Sequence, residues 1–181
     1  MVFTGGFDGE IVGCGVDGSL CGVKITGSYD NDLRLLSFSD DIVPGTTPEG
    51  NVGIYVDVDE NSTVRFVSGG ASSYNYVPSD LVILKNGNLI LDGFHANVTP
   101  ATGNGAIRVA KGYAKVSGIV FSHVGPLDGN GAFTKQTKNG KTLDIVVDKE
   151  GEIELRSAIG MRFFTYDCKG IADVFHSVVS E

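Results

Sequence analysis

The feature that most constrains this chain is the recurrence of short apolar runs separated by glycine-containing turn pairs. Asn86-Gly87 lies between two such runs and predicts a two-residue hairpin in which Leu84 faces Leu89. The chain has 26 glycines without the every-third spacing of collagen, and they fall where strand patterns stop and restart. We therefore interpret the glycines as turn residues of a mainly β protein.

Further turn signals divide the rest of the chain into short strands. They are Asn139-Gly140, Asp148 to Gly151, Asp59 to Asn61 and Lys111-Gly112. Strands that recur every 8 to 12 residues or so are typical of sandwiches and barrels, because one pleated face must be buried against another sheet. The sequence predicts a single domain over residues 1–181, an antiparallel β-sandwich or jelly-roll-like fold with tight hairpins.

The alternative architecture is a parallel β-solenoid. The stretches Leu89 to Phe94 and Val116 to Phe121 resemble each other and begin 27 residues apart. A solenoid should carry such a period through several coils, and this interval does not extend to other segments. Two-residue hairpins also compete with parallel crossovers, so the sandwich is the favoured prediction.

The C-terminus is the one segment with a helical pattern. Its apolar residues repeat at i, i+3, i+4, i+7 and i+8 and predict a short helix over 171–179. An isolated helix of this length is marginal, so it should dock on the domain or on a neighbouring subunit. The stripe is therefore a candidate assembly contact and consists of Ile171, Val174, Phe175, Val178 and Val179.

The charge balance argues against two classes of partner. Acidic residues outnumber basic ones 22 to 14, which gives a formal net charge of −8. This charge repels phosphate backbones and anionic lipid surfaces, so neither nucleic acid nor membrane is an expected partner. The sequence shows no secretion signal and no apolar run of transmembrane length, and we expect a virion or cytoplasmic location.

The catalytic motifs in the chain are incomplete. Gly13 to Gly18 matches GxGxxG, but a strand-like segment follows where a dinucleotide site needs a helix. Ser122-His123 and Asp128 supply the residue types of a hydrolase triad without a nucleophile elbow. The histidines also lack metal-ligand spacing. We predict a protein that is not an enzyme and that uses no cofactor or metal.

Two cysteines are close in sequence around a further turn signal. A hairpin centred on Asp17-Gly18 would place Cys14 opposite Cys21, and a disulfide between them is geometrically conceivable. Without a secretion signal, the reduced form is favoured. Their redox state stays open at this point.

The function is argued by elimination. A compact acidic β domain without an active-site signature suits a structural or assembly subunit, for example a virion component such as a capsid decoration or tail or baseplate protein. Its expected partners are other protein subunits, in a homo-oligomer or a repeated lattice, contacted through the N-terminal segment, the long loops and the C-terminal helix. The alternative is a glycan-binding or adhesion module in which Tyr74 and Tyr76 form the recognition surface.

Overall fold

The structure is a computed structural model, and it describes most of the chain. The described ranges are 1–6, 9–19, 21–29, 33–37, 39–42, 52–73, 81–98, 107–123, 145–156, 159–160, 166–175 and 178–179. All the regular secondary structure in these ranges is β-strand.

Seventeen strands form one sheet. In chain order they are β1 (Val2–Phe3), β2 (Glu10–Val12), β3 (Gly15–Ser19), β4 (Cys21–Gly27), β5 (Leu33–Leu36), β6 (Ser39–Ile42), β7 (Val52–Val58), β8 (Thr63–Ser73), β9 (Val82–Asn86), β10 (Asn88–Val98), β11 (Ile107–Ser117), β12 (Val120–His123), β13 (Ile145–Arg156), β14 (Ile159–Gly160), β15 (Tyr166–Cys168), β16 (Ile171–Phe175) and β17 (Val178–Val179).

Every described pairing in the sheet is parallel, and the pairings fall into three ladders. The first ladder runs through β1, β4, β7, β9, the first parts of β11 and β13, and β15. The second runs through β2, β5, the first parts of β8 and β10, the second parts of β11 and β13, and β16. The third runs through β3, β6, the second parts of β8 and β10, β12, β14 and β17.

The chain visits the three ladders in the same order seven times, and we call each visit a pass. Consecutive passes lie side by side, so each strand pairs with the strands one pass before and one pass after it. The single sheet curls into a half-barrel. The prediction of an antiparallel sandwich or jelly roll is therefore wrong.

The predicted turns are correctly located but are corners, not hairpins. Asn86-Gly87 separates β9 from β10, and Asp59 to Asn61 separates β7 from β8. Lys111-Gly112 lies within β11 and Asp148 to Gly151 within β13. At each of these places the chain moves from the first ladder to the second without reversing direction. Asn139-Gly140 lies outside the described residues.

The corner between the second and third ladders has a constant length. In every pass, a given position of the second ladder and the corresponding position of the third ladder are five positions apart in the sequence. Examples are Arg34 and Ser39, and Ile90 and His95. This corner carries a residue with positive φ in each of the first five passes, namely Gly13, Ser37, Ser68, Gly93 and Gly118. The repeated left-handed conformation gives successive passes the same bend.

The core lies on the inner face of the sheet. Strand alternation sends every second side chain inward, and in the first and second ladders the inward positions of the middle passes are apolar and almost fully buried. In the second ladder they include Val64, Phe66, Leu89 and Leu91, and in the first ladder they include Ile54, Val56, Val82 and Leu84. The rings of Phe66 and Phe94 meet edge to face with centroids 6.2 Å apart.

The prediction of a C-terminal helix over 171–179 is also wrong. Ile171–Phe175 forms β16, which pairs with β13, and Val178–Val179 forms β17, which pairs with β14. The segment is rich in β-branched residues, which favour strands. Pairing with the preceding pass gives the backbone N–H and C=O groups hydrogen-bond partners in a stable sheet, whereas an isolated helix of this length would be marginally stable.

The two stretches that suggested a solenoid do pair with each other in parallel, although not at the predicted interval. The structure pairs Leu91 with Val116 and His95 with Val120, an offset of 25 residues instead of 27. The spacing varies elsewhere, because Lys115 pairs with Glu154 across a longer connection. Because the offset between consecutive passes varies, the sequence shows no constant repeat length.

Candidate functional site

The exposed large apolar side chains among the described residues all lie at the two ends of the sheet. Met1, Val2 and Val12 belong to the first pass and are 41%, 64% and 66% exposed. Ile171 belongs to the last pass and is 58% exposed. No described residue of the five middle passes is in this group, so the exposed large apolar side chains of the described residues are concentrated in the first and last passes.

The last pass leaves one strand edge open. β16 pairs with β13 along one side, and no described strand pairs with its other side. Ala172 and Cys168 occupy inward positions in this pass but are only partly buried, although both pack against the core. Among the described residues, the last pass therefore presents a strand edge together with core side chains that are only partly buried.

The first pass, at the opposite end of the sheet, also has strand edges without a described partner and partly buried apolar side chains. β1 pairs only with β4, and β2 pairs only with β5, in the described part of the chain. Phe3, Ile11 and Val16 pack against the core and are half-buried. Within the described ranges, both ends of the sheet thus combine strand edges that have no described partner with partly buried apolar side chains, the combination that makes a sheet edge prone to pairing.

The backbone directions at the first edge follow from two hydrogen bonds. The Arg34 N–H donates to the Gly9 carbonyl oxygen (3.1 Å), and the Gly13 N–H donates to the Leu36 carbonyl oxygen (3.0 Å). Gly9 and Gly13 therefore direct these groups toward β5. Because directions alternate along a strand, the N–H groups of Glu10 and Val12 point to the open side of β2.

Comparison with known proteins adds no relative. No protein-family model matches the chain, and no curated protein or solved structure matches it. Its function must be argued from its own geometry.

A shallow groove of about 380 Å³ runs along the corner between the first and second ladders. Its floor is formed by Gly87, Gly112 and Gly151, which occupy equivalent positions in three successive passes. Lys111 and Tyr113 also line it, and the exposed Ile171 lines it at the last pass. The groove therefore leads to the open end of the sheet and does not form an enclosed cavity.

A small charged cluster lies beside the groove on the outer face of the second ladder. The Tyr113 hydroxyl donates to Glu154 Oε2 (2.8 Å), while Lys115 Nζ lies 3.4 Å from Glu154 Oε1 and Arg156 Nε donates to the same oxygen. Burial and this hydrogen bond raise the pKa of Tyr113 to about 12. The hydrogen bond from Tyr113, together with Arg156 and Lys115, lowers the pKa of Glu154. Paired in this way, Glu154 is held as a carboxylate.

The predicted assembly residues lie at the open end. Ile171, Val174 and Phe175 are on β16, and Val178 and Val179 are on β17. The structure places them on edge strands of the last pass instead of on one face of a helix. Tyr74 and Tyr76 lie outside the described residues.

The structure has no disulfide bond between Cys14 and Cys21. The hairpin that would have placed them opposite each other does not form, because Asp17-Gly18 lies inside β3, and β3 pairs with β6 instead of β4. The geometric basis of the predicted pairing is therefore absent.

Sequence reasoning named the N-terminal segment as a contact but not the residues within it. Ile11 and Val12 belong to the strand-like triplet Glu10-Ile11-Val12 before the GxGxxG match, and its strand-like composition was the available signal. Their place at a sheet edge depends on pairing with β5, which the local sequence does not specify.

Two further features are absent from the described ranges. No three His, Cys, Asp or Glu side chains converge there as metal ligands. The same ranges include no helix with the length and apolarity to cross a membrane.

Proposed function

We propose that this chain is a non-enzymatic structural or assembly subunit that acts through protein–protein contacts at the two ends of its sheet. The observation that carries the proposal is the location of the exposed large apolar side chains. Among the described residues they occur in the first and last passes, next to strand edges without a described partner.

The physical basis is the contrast between middle and end passes. In the first and second ladders, the inward side chains of the middle passes are covered on both sides and almost inaccessible to water, whereas Ile11 and Ala172 at the ends are only partly buried. Fully burying an exposed large aliphatic side chain stabilises by about 1.5–3 kcal/mol, and Ile171 is 58% exposed. A partner that also pairs with the strand edge gains main-chain hydrogen bonds.

A virion is one setting for such a subunit, for example as a capsid decoration or a tail or baseplate protein. This setting rests on a fold-level association, and the contacts proposed at the ends do not depend on it. The glycan-binding alternative depends on Tyr74 and Tyr76, and no described residue favours it. Protein contact is therefore the function we propose.

The experiment that tests this function compares two isoleucines on the outer face of the second ladder. Ile171 lies in the last pass and Ile90 lies in a middle pass. The full tagged chain and its Ile171→Gln and Ile90→Gln variants would be expressed in the cells that make this protein, and co-purifying proteins quantified by mass spectrometry. Loss of one buried isoleucine contact corresponds to about a tenfold or greater loss of recovery.

The two variants separate the expected from the contrary result. The proposal expects at least one partner whose recovery falls with Ile171→Gln and is unchanged with Ile90→Gln. If every co-purifying protein is recovered equally with all three chains, contact through the last pass is ruled out. Circular dichroism of each purified variant shows whether the fold is retained.

A further inference from the structure

We propose that each end of the sheet binds the opposite end of a second copy of this chain, so that copies stack head to tail with the parallel ladders continuing across the contact. This inference rests on the proposed function and names its partner. In the contact, β2 of one copy lies beside β16 of the next, and β3 lies beside β17.

The two end passes have the same spacing between the second and third ladders. Five residues separate equivalent positions of the second and third ladders in both end passes, Glu10 from Gly15 and Asp173 from Val178. The same spacing holds in all the passes between them. Two ladders can therefore stay in register across the contact at the same time, without a shift at the corner.

The residues that would face each other across the contact are also chemically alike. Continuing the register places Ile11 beside Val174, Val12 beside Phe175 and Val16 beside Val179. Each of these pairs is apolar. Ile11 packs against the core, and continuing its row through the register leads to Leu35, Phe66, Leu91, Val116 and Leu155, all fully buried, and then to position 174. A second copy therefore extends the core with residues of the kind already in it.

The backbone groups on the two strand edges can also form hydrogen bonds with each other. The N–H groups of Glu10 and Val12 point to the open side of β2, and the matching side of β16 has no described partner. A strand placed there in parallel satisfies both edges, because a parallel ladder gives each strand evenly spaced donors and acceptors on both sides.

One matched pair opposes the contact and makes it testable. Glu10 falls beside Asp173, and both side chains are exposed. Within its own copy Glu10 is next to Arg34, and Asp173 is next to Glu154, which Lys115 and Arg156 already hold. Like charges opposite each other weaken strand pairing, so the native contact is reversible and sensitive to charge at this position.

The contact is heterologous, because it joins two different surfaces. Such a contact closes only if the rotation between copies brings the last one back to the first, and otherwise it forms an open linear assembly. A parallel ladder that continues from copy to copy favours the linear form. The assembly size should therefore rise with protein concentration.

The test is sedimentation velocity of the purified full chain over a wide concentration range, with three variants. Asp173→Lys replaces the like-charge pair with an attractive one and should tighten the association about fivefold. Asp92→Lys makes the same charge change at an exposed position of a middle pass and should have no effect. Val12→Pro removes an N–H on the open side of β2 and should abolish association.

The outcomes also distinguish this inference from the function on which it rests. Reversible association that Asp173→Lys tightens, Asp92→Lys leaves unchanged and Val12→Pro removes supports stacking. If the native chain and Asp173→Lys are both monomeric at all concentrations, or if Asp92→Lys has the same effect as Asp173→Lys, stacking in this register is wrong. A monomeric chain with another partner that depends on Ile171 rejects stacking and leaves the proposed function standing.

Discussion

The hydroxyl of Ser62 satisfies both backbone polar groups of Tyr29. Ser62 Oγ accepts a hydrogen bond from the Tyr29 N–H (2.8 Å) and donates one to the Tyr29 carbonyl oxygen (3.3 Å). Ser62 is 2% exposed and is the one buried polar residue in the described part of the chain. Because Tyr29 follows β4 and Ser62 precedes β8, this side chain ties the first corners of two consecutive passes together.

Ser62→Ala should therefore destabilise the fold. The substitution leaves two buried backbone groups of Tyr29 without their hydroxyl partner, and the free energy of unfolding should fall by about 1–3 kcal/mol. Urea denaturation followed by circular dichroism measures this change. Ser68→Ala is the control, because Ser68 is exposed and its substitution should change stability by less than about 0.5 kcal/mol. Equal effects of the two substitutions would contradict the role given to Ser62.

Two corner glycines should differ in their tolerance of alanine. Gly112 and Gly93 both have positive φ, at 95° and 63°. A Cβ at Gly112 would overlap with the carbonyl oxygen of Gly87, whereas a Cβ at Gly93 would come no nearer than 3.7 Å to Ser68 Oγ. Gly93→Ala should cost only the backbone strain of about 1–2 kcal/mol.

Gly112→Ala should cost more, because the two corners must also move apart. Thermal and urea unfolding of the two variants would give the difference. A Gly112→Ala variant as stable as Gly93→Ala would show that the first corner is not closely packed.

Ser68→Gly should stabilise the protein. Ser68 has a φ of 50° at a corner where Gly93 and Gly118 occupy the equivalent positions of the next two passes. Glycine adopts this conformation without strain, but it gains more freedom in the unfolded chain, so the net increase should be about 0.5–1 kcal/mol. A rise in the urea midpoint with an unchanged slope would confirm it. Ser117→Gly, in a strand, should instead lower the midpoint.

Tyr113→Phe should raise the pKa of Glu154 toward its ordinary value. The Tyr113 hydroxyl is the main group that stabilises this carboxylate, through the 2.8 Å hydrogen bond. Carboxyl ¹³C chemical shifts followed through an acid titration measure the change. Tyr55→Phe is the matched control, because Tyr55 interacts with Asp57 and should leave the titration of Glu154 unchanged.

The same tyrosine should make stability depend on alkaline pH. The pKa of Tyr113 is raised from 10.0 to about 12, so its neutral form contributes stability below pH 10 that is lost as the pH rises toward 12. Glu154 acts in the opposite direction, since its lowered pKa contributes stability that is lost as the pH falls through that pKa. Tyr113→Phe should therefore lose less stability than the native chain between pH 10 and 12, as measured by urea unfolding.

The sequence located the bends of the chain but not what they connect. Asn86-Gly87 and Lys111-Gly112 were predicted as turns, and both are places where the chain changes direction. Glycine with positive φ serves a hairpin and a corner between parallel strands equally well. Whether the chain forms a hairpin or a corner depends on contacts with the neighbouring pass, such as the close approach of Gly112 to the Gly87 carbonyl.

The C-terminal segment shows the same limit. Ile171, Val174 and Phe175 fit a helical period, yet they lie on a strand because β13 offers its edge at this point. The assembly contact expected of these residues stays a prediction, whereas the helix predicted for them is wrong. Val12 was not named from the sequence, because its exposure at a sheet edge follows only from its place in the first pass.

The sequence by itself determined that the chain is mainly β, where its apolar strands lie and where its glycines bend it, because these follow from local periodicity and backbone freedom. Only the tertiary structure decided that the strands pair in parallel and that the apolar residues exposed in the described ranges fall at the ends of the sheet. Pairing partners are separated by about 20 to 40 residues in sequence and differ in spacing from pass to pass, so no local pattern records them.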